Sequence, residues 1–479
     1  MIDDPRTADL REKVAALMPQ AKRDLAQLVS FRSVADARQF PAEECERAAQ
    51  WVADAFAGAG LTKVGLHETP DGSKAVIAAR PAPHGAPTVL LYCHYDVQPP
   101  MDEAAWRTPP WELAEKEGRW YGRGSADCKG NIVMHLTALR ALGPDLPLGV
   151  TLVADGSEEQ CTDGLERFVE ANPDLLRADA IVVGESGNVA VGVPTFTETL
   201  RGSVNVVVTL ETLAGPMHSG MFGGAAPDAL AALIQLLASL RDKRGNTTIA
   251  GLRTDQVWPG VQYPCEQFHA DARVLGGVEL TGDGTVADML WARPALTVLG
   301  IDAPAVAGSA AAIQPIARAR LNLRIPPGID PRYAHTALVA HLEANTPWQA
   351  KLTIELESFG APFESGTGGP ARAAMEAALA ASYGRPATTQ GQGGSIPQCN
   401  VFADTYPDAE IMLLGVEEPT CLIHAPNESV DPKEIERMAL AEALFLATYR
   451  SQGYSSVASS GWSTRNSVPA GAISTRRPK

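Results

Sequence analysis

Short apolar runs alternate with helical segments in the first part of the chain, and this alternation limits the folds that it can adopt. Four runs read as strands, because they are apolar, rich in β-branched residues and bounded by turn residues: KAVIAAR, PTVLLYCH, GVTLVAD and ADAIVVGES. Apolar residues at helical spacing predict helices over about residues 8–32 and 41–60 and in GNIVMHLTALRAL. The pattern predicts an α/β sandwich with a mostly parallel sheet.

The pattern changes near residue 200 and returns after residue 360. In between, SVNVVVTLET, PALTVLGI, ARARLNLRI and KLTIELES read as strands, and APDALAALIQLLASL reads as a helix. A chain of 479 residues is longer than a single core usually serves. We therefore predict an α/β domain in two parts, residues 1–197 and 361–450, interrupted by an inserted α+β domain over residues 198–360. The Ser-, Gly- and Pro-rich segment 451–479 predicts a disordered tail.

Charge and cysteine content exclude several classes of partner. The formal net charge of −16 provides no general basic surface for nucleic acid. No apolar run approaches the ~20 residues of a membrane span, so we expect no membrane partner. The charged beginning of the chain predicts no secretory signal. Seven scattered cysteines without a CxxC pair argue against a disulfide framework and favour a reducing cytoplasm.

Ionisable residues stand directly after several of the predicted strands, at positions where open α/β sheets bind ligands. The residues after strands are His94, Asp96, Glu158, Glu159, Glu185 and His424. One further carboxylate, Asp127, stands in the Gly-rich loop before the third predicted helix. Imidazole and carboxylate ligands suit zinc, manganese or cobalt. More than three carboxylates would repel one another around one cation, so we predict two cations that share a bridging carboxylate.

An ordered series of motifs resembles one family of enzymes. In order along the chain, these motifs are HYDVQPP, GRWYGRGSADCKGN, DGSEE, LRG, HSGMFGG, GGSIP and HAPNE. The series resembles the dinuclear-zinc metallopeptidases that include carnosinase-like dipeptidases, glutamate carboxypeptidase, aminoacylase and succinyl-diaminopimelate desuccinylase. The bacterial dipeptidases are the most similar branch. The resemblance covers nearly the whole chain except its ends.

The resemblance implies a role for each residue at the predicted centre. It makes His94 and Glu185 ligands of the first metal, Glu159 and His424 ligands of the second, and Asp127 the bridge between them. Asp96 would receive the other ring N–H of His94, and Glu158 would be the general base. The metals would be two divalent ions, zinc by this resemblance, with manganese or cobalt as alternatives.

The resemblance also assigns functions to the inserted domain, as a lid and dimerisation domain of a homodimer. His218 would reach across the dimer interface to polarise the substrate carbonyl. Arg324, Gly394 and Ser395 would hold the terminal carboxylate of the substrate. Without the resemblance, Arg324 reads as part of a surface salt bridge and GGSIP as a flexible loop.

The sequence departs from the family pattern at several positions, and three functions stay open. Among the departures are Cys93 before the first histidine, Cys128 after the bridging aspartate, and Glu185 where dipeptidases commonly have aspartate. We expect hydrolysis of dipeptides or similar short amides with a free carboxylate. Because glutamate at the position of Glu185 is found in deacylase branches, an N-acyl-amino-acid amidohydrolase is the alternative. A catalytically silent metal-binding or scaffold protein is the third possibility, although the retained Glu158 argues against it.

Overall fold

The computed structural model describes residues 4–83, 85–144 and 146–453. Its α-helices are α1 (Pro5–Ser30), α2 (Ala42–Gly58), α3 (Lys129–Leu142), α4 (Gly164–Ala171), α5 (Ser219–Phe222), α6 (Ala229–Ala238), α7 (Cys265–Asp271), α8 (Pro331–Ala344), α9 (Pro370–Tyr383), α10 (Pro397–Thr405) and α11 (Pro432–Gly453). Short 3₁₀ turns cover Glu103–Ala105, Glu158–Gln160 and Pro347–Gln349, and a π-helical turn covers Asp288–Ala292.

The strands form one large sheet, a smaller antiparallel sheet and two short ribbons. They are β1 (Lys63–Glu68), β2 (Lys74–Arg80), β3 (Thr88–His94), β4 (Ala114–Lys116), β5 (Arg119–Tyr121), β6 (Gly149–Asp155), β7 (Ala180–Gly184), β8 (Thr195–Leu200), β9 (Gly202–Glu211), β10 (Met217–His218), β11 (Ala295–Asp302), β12 (Ala312–Ile313), β13 (Ile316–Ile325), β14 (Lys351–Gly360), β15 (Phe363–Glu364), β16 (Thr388–Gln392), β17 (Glu410–Leu414) and β18 (Ser429–Val430).

The large sheet is parallel at its centre and antiparallel towards its edges, except that β16 runs parallel to β8. Its order is β1-β2-β6-β3-β7-β17-β8-β15, with β16 paired to β8. The central strand β3 runs parallel to both β6 and β7, and β17 runs parallel to β7. The pairs β1–β2, β2–β6, β8–β17 and β8–β15 are antiparallel. The α/β class is therefore confirmed, and the sheet as a whole is mixed.

Helices cover both faces of this sheet, which explains why its central strands read as unbroken apolar runs. On one face, Val89, Leu91 and Cys93 of β3 pack in a core with α1, α2, α3, α9 and α11. On the other face, Leu90 and Tyr92 pack in a core with α4 and α10. The Cys93 thiol is thus a fully buried core group. All seven cysteines are free thiols.

The smaller sheet has the order β11-β13-β9-β14, and its pairs are all antiparallel. Its strands lie between residues 202 and 360, and α6 and α8 share a separate apolar core with it. The domain boundaries at residues 197 and 360 stay a prediction. Within the described ranges, no helix has both the length and the apolar character that crossing a bilayer requires.

The predicted tail begins too early. Helix α11 continues to Gly453, so residues 451–453 are helical where a disordered segment was expected. Residues 454–479, the rest of the predicted tail, lie outside the described residues.

Candidate active site

The site lies where the parallel central strands end, because parallel strands bring their carboxyl ends to the same edge of a sheet. His94 is the last residue of β3, and Glu185 directly follows β7. Glu158 and Glu159 form the 3₁₀ turn after β6, and His424 lies in the loop after β17. Asp127 belongs to the loop before α3. The expectation that strand exits converge on one edge is confirmed.

A first group of possible ligands consists of His94, Glu158 and Glu185, whose ligand atoms lie within 4.8 Å of one another. The Nε2 atom of His94 is 3.9 Å from a carboxylate oxygen of Glu185. Its Nδ1 atom is 3.3 Å from Oδ1 of Asp96 and 3.1 Å from the Asp96 carbonyl. A proton on Nδ1 can therefore be shared with Asp96, which leaves the Nε2 lone pair facing the centre.

A second group consists of Asp127, Glu159 and His424, with ligand atoms again within 4.8 Å. The Nε2 atom of His424 lies 2.9 Å from Asp127 and 3.2 Å from Glu159. His424 has a φ of +59°, in the left-handed region that residues with a Cβ seldom adopt. In this conformation the imidazole faces the two carboxylates. The side chain of His424 is 53% exposed to solvent.

The carboxylate of Asp127 joins the two groups. Its Oδ1 lies 3.0 Å from Nε2 of His94, and its Oδ2 lies 2.9 Å from Nε2 of His424. The loop that carries it is held by Glu428, which accepts hydrogen bonds from the backbone N–H groups of Gly124, Ala126 and Asp127. Glu428 is fully buried. Its role was missed in the sequence, although it is the last residue of the HAPNE motif.

Asp96 does more than face His94. Its fully buried carboxylate accepts hydrogen bonds from the backbone N–H groups of Glu158 and Glu159, at 3.2 and 3.1 Å. Gln98 donates a hydrogen bond of 2.8 Å to the Glu159 carboxylate. The turn after β6 is therefore positioned from the loop after β3. Sequence reasoning assigned Asp96 to His94 alone, because the contact with the turn depends on the tertiary structure.

Burial and neighbouring charges shift the pKa values of the carboxylates and of His424. Burial raises the pKa of Glu158 to about 8, with the charges of Glu159 and Asp96 adding to the effect. Burial and then the charge of Glu158 raise the pKa of Glu185 well above its usual range. Burial opposes the charged form of His424, yet hydrogen bonds with Asp127 and Glu159 raise its pKa to about 11. The acids thus repel one another and hold protons that a cation would displace.

The residues fit two cations. Buried polar atoms normally have partners, yet Oε1 of Glu159 and Oε2 of Glu185 are buried without a hydrogen-bond partner among the described residues. Each group offers one imidazole and two carboxylates, the donor set that zinc, manganese and cobalt accept. Zinc bond lengths imply ligand atoms about 3.3 Å apart, close to the separations around Asp127.

The predicted carboxylate-binding residues lie on a different pair of elements. Arg324 is near the end of β13, and one of its Nη atoms is 3.3 Å from the hydroxyl of Ser395. The hydroxyl of Ser395 donates a hydrogen bond of 2.5 Å to the carbonyl of Arg201. The Ser395 hydroxyl therefore orients Arg324 in this state, and Gly394 is half-buried in the same loop. Their contact with a substrate stays a prediction.

His218 is not part of this cluster. It is exposed at the end of β10, which pairs with β12. Its Nδ1 atom accepts hydrogen bonds from the N–H groups of Gly220 and Met221. The neutral imidazole must then carry its proton on Nε2, which makes Nε2–H a donor. The predicted role across a dimer interface stays a prediction.

Comparison with known proteins identifies relatives over most of the chain. A cysteinylglycine-S-conjugate dipeptidase from Corynebacterium striatum is 44% identical over 444 residues, which cover 90% of this chain and 97% of the relative. A β-Ala-His dipeptidase from Rattus norvegicus is 28% identical, covering 75% of this chain and 77% of the relative.

Solved structures show the same fold, and the sequence profile identifies the family. Human carnosine dipeptidase 1 superposes with a TM-score of 0.80 at 22% identity, over 93% of this chain and 99% of that protein. The profile of peptidase family M20/M25/M40 matches residues 90–448, which include the six residues of both ligand groups. The chain therefore belongs to peptidase family M20/M25/M40, a family of metallopeptidases, and is a hydrolase.

Proposed function

We propose that the chain is a dipeptidase that uses two divalent cations. The observation that carries the proposal is the carboxylate of Asp127, which faces both imidazoles while Glu158 lies beside the first group. His94 and Glu185 would hold one cation, Glu159 and His424 the other, and Asp127 both. When bound, the cations would polarise the scissile carbonyl and lower the pKa of water towards about 7.

Glu158 has the position of a general base, because its carboxylate lies beside those of the first ligand group. In the metal-free protein burial raises its pKa to about 8, and a bound cation would lower that pKa again, so that the carboxylate can accept and return a proton near neutral pH. Glu158 takes the proton of the attacking water and delivers it to the leaving amine. Asp96 holds the turn of Glu158 through backbone hydrogen bonds, so that the base keeps a fixed direction.

The substrate in this proposal is a dipeptide whose free carboxylate is held by Arg324, Gly394 and Ser395. The named relatives, a cysteinylglycine-S-conjugate dipeptidase and a β-Ala-His dipeptidase, support dipeptides as the substrate class. We further propose zinc as the metal, a homodimer in which His218 serves the partner's site, a lid domain over residues 198–360, and a cytoplasmic location. Glu185 favours the second candidate, an N-acyl-amino-acid amidohydrolase.

A substrate panel on metal-stripped and metal-reloaded protein tests the proposal. We expect a chelator to abolish hydrolysis of dipeptides, and Zn²⁺, Mn²⁺ or Co²⁺ to restore it. Dipeptides, β-alanyl dipeptides and N-acetyl amino acids would be compared by kcat/KM under the same loading. Higher kcat/KM for the N-acetyl amino acids would favour the deacylase, and hydrolysis that survives chelation would contradict the metal centre.

A further inference from the structure

The loop that carries Glu158 and Glu159 contains two residues with strained backbone. Cys161 and Asp163 have φ values of +51° and +55°, in the left-handed region that residues with a Cβ seldom adopt. Such conformations persist where the surrounding structure holds them. Asp96 binds the backbone N–H groups of the two glutamates, but among the described residues it makes no hydrogen bond with the rest of the loop. Another contact is therefore needed to fix that part of the loop.

Asp71 supplies this contact from the exposed turn between β1 and β2. Its Oδ2 atom accepts hydrogen bonds from the hydroxyls of Ser157 and Thr162, at 2.7 and 2.5 Å. Ser157 directly precedes the two glutamates, and Thr162 follows the second of them by three residues. One carboxylate oxygen thus joins both ends of the segment that presents the proposed base.

The second oxygen of the Asp71 carboxylate is bound within the hairpin itself. Oδ1 accepts hydrogen bonds from the Thr69 hydroxyl at 2.6 Å and from the backbone N–H of Ser73 at 3.0 Å. Burial opposes the charge of Asp71, yet hydrogen bonds from Thr162 and then Thr69 hold its pKa well below its usual range. The carboxylate therefore stays charged at neutral pH and accepts all four hydrogen bonds.

The loop also approaches Asp71 closely where the loop ends. A Cβ added at Gly164, the first residue of α4, would come within 2.5 Å of the Asp71 carboxylate. Only a residue without a side chain permits this approach, because any Cβ would collide with the carboxylate. Gly164 is buried, so the chain leaves this space to Asp71 rather than to solvent.

We propose that Asp71 is a positioning residue for hydrolysis, which fixes the direction of Glu158 by holding both ends of its loop. Among the described residues, Asp71 makes no hydrogen bond or ion pair with either ligand group, so it acts through the loop. The inference rests on the proposed dipeptidase function and adds a residue outside the motifs shared with the family. A displacement of about 1 Å at a catalytic group is sufficient to cost about 10²-fold in rate.

Steady-state kinetics on metal-loaded protein test the inference. Asp71→Ala should lower kcat for Gly-Leu by about tenfold or more and change KM by less than about threefold, since the loop directs the base. Asp71→Asn keeps an acceptor oxygen and should retain part of kcat. Ser157→Ala and Thr162→Val each remove one hydroxyl and should each cost less. Neither should add to the loss in Asp71→Ala, which has already broken both contacts.

Asp242→Ala is the matched control. Asp242 also organises an exposed turn, by accepting hydrogen bonds from Arg244 and Asn246, but it lies in the region of the smaller sheet. Its loss should change kcat by less than about threefold. Hydrogen exchange on metal-free protein gives a readout independent of catalysis. The backbone amides of residues 156–163 should exchange faster in Asp71→Ala and at the wild-type rate in Asp242→Ala.

A wild-type kcat in folded Asp71→Ala would overturn the inference, and so would a loss confined to KM. Unchanged exchange of the loop amides in Asp71→Ala would overturn it too, because the carboxylate would then not hold the loop. If Asp71→Ala does not fold, the double variant of Ser157→Ala with Thr162→Val removes the same two contacts and is judged by the same criteria. Failure of wild-type protein to hydrolyse any dipeptide after metal loading would instead reject the proposed function.

Discussion

Asp127 is only 7% exposed, yet its carboxylate faces two imidazoles and lies near three glutamates. Hydrogen bonds with His424 and His94 overcome the effect of burial and hold the pKa of Asp127 below its usual range. The neighbouring Glu158 and Glu185 have raised pKa values instead. Asp127 is thus charged while Glu158 and Glu185 hold protons, and two bound cations would keep Asp127 ionised and displace the protons of its neighbours.

Asp155, at the end of β6, permits a prediction about pH. Burial, then the charge of Asp96, raises its pKa to about 7. The native state therefore binds this proton more tightly than the unfolded chain does. The stability that the protonated carboxyl contributes is fully present below about pH 4 and is lost as the pH rises through 7. Asp155→Asn removes this dependence, and its amide oxygen can still accept from Gly156 and Ser157, as the carboxylate does.

Urea unfolding of metal-free protein at pH 5 and pH 8 measures the effect. Relative to wild type, Asp155→Asn should gain free energy of unfolding on going from pH 5 to pH 8. If the difference in free energy of unfolding between wild type and Asp155→Asn is the same at pH 5 and pH 8, the raised pKa of Asp155 is contradicted.

At the scale of single residues, the sequence predicted the members of the centre but not what holds them in place. His94 and Glu185 were recognisable because each ends or directly follows an apolar strand. The backbone hydrogen bonds of Asp96 and Glu428 gave no such signal, since they join segments 62 to 304 residues apart.

At the scale of elements, the centre depends on three parallel strands and on loops that cross between them. The strands β3, β6 and β7 were predicted from their apolar runs. The short strands β4, β5, β15 and β18, of two or three residues each, carry too few residues for a periodic pattern. The antiparallel edges of the large sheet were also missed, because the direction of a strand is set by its connections rather than by its own residues.

The loop before α3 gives a prediction at this scale. Glu428 pairs with the buried Arg123 at 2.7 Å and binds three backbone N–H groups of the loop. Glu428→Gln leaves the Arg123 charge uncompensated and turns an amide N–H₂ towards N–H donors. We expect a loss of about 3–5 kcal/mol in the free energy of unfolding, together with weaker metal binding.

Glu418→Gln is the matched control for this loop. It breaks a different ion pair, the partly buried one between Arg119 and Glu418, and Glu418 makes no hydrogen bond with the backbone of Asp127 among the described residues. Chemical unfolding and metal titration of both variants separate the two effects. Unchanged metal affinity in folded Glu428→Gln would show that the loop positions Asp127 without this carboxylate.

At the scale of the whole molecule, the two sheets carry different parts of the proposed chemistry. The possible metal ligands belong to the large sheet and its loops, whereas Arg324 and His218 belong to the region of the smaller sheet. The sequence predicted this division from the change of pattern near residue 200. It did not predict where His218 would point, and that residue is exposed in the single chain.

Complementation tests whether His218 serves the site of a second chain. His218→Ala and Glu158→Ala should each be nearly inactive alone. If the chain dimerises and His218 acts across the interface, random mixing should restore about a quarter of wild-type activity, because half of the dimers carry one complete site. Absence of recovery in verified mixed dimers would contradict the role of His218.

The most direct test of the account is to measure the metal content and kcat of Glu158→Gln on the same sample. Glu158 lies within ligand distance of His94 and Glu185, so it is either a base or a third ligand of that group. If Glu158 is the general base, Glu158→Gln binds two cations per chain, as wild type does, and has a kcat lowered by about 10²–10⁴-fold. Loss of one cation, or a kcat near that of wild type, would contradict it.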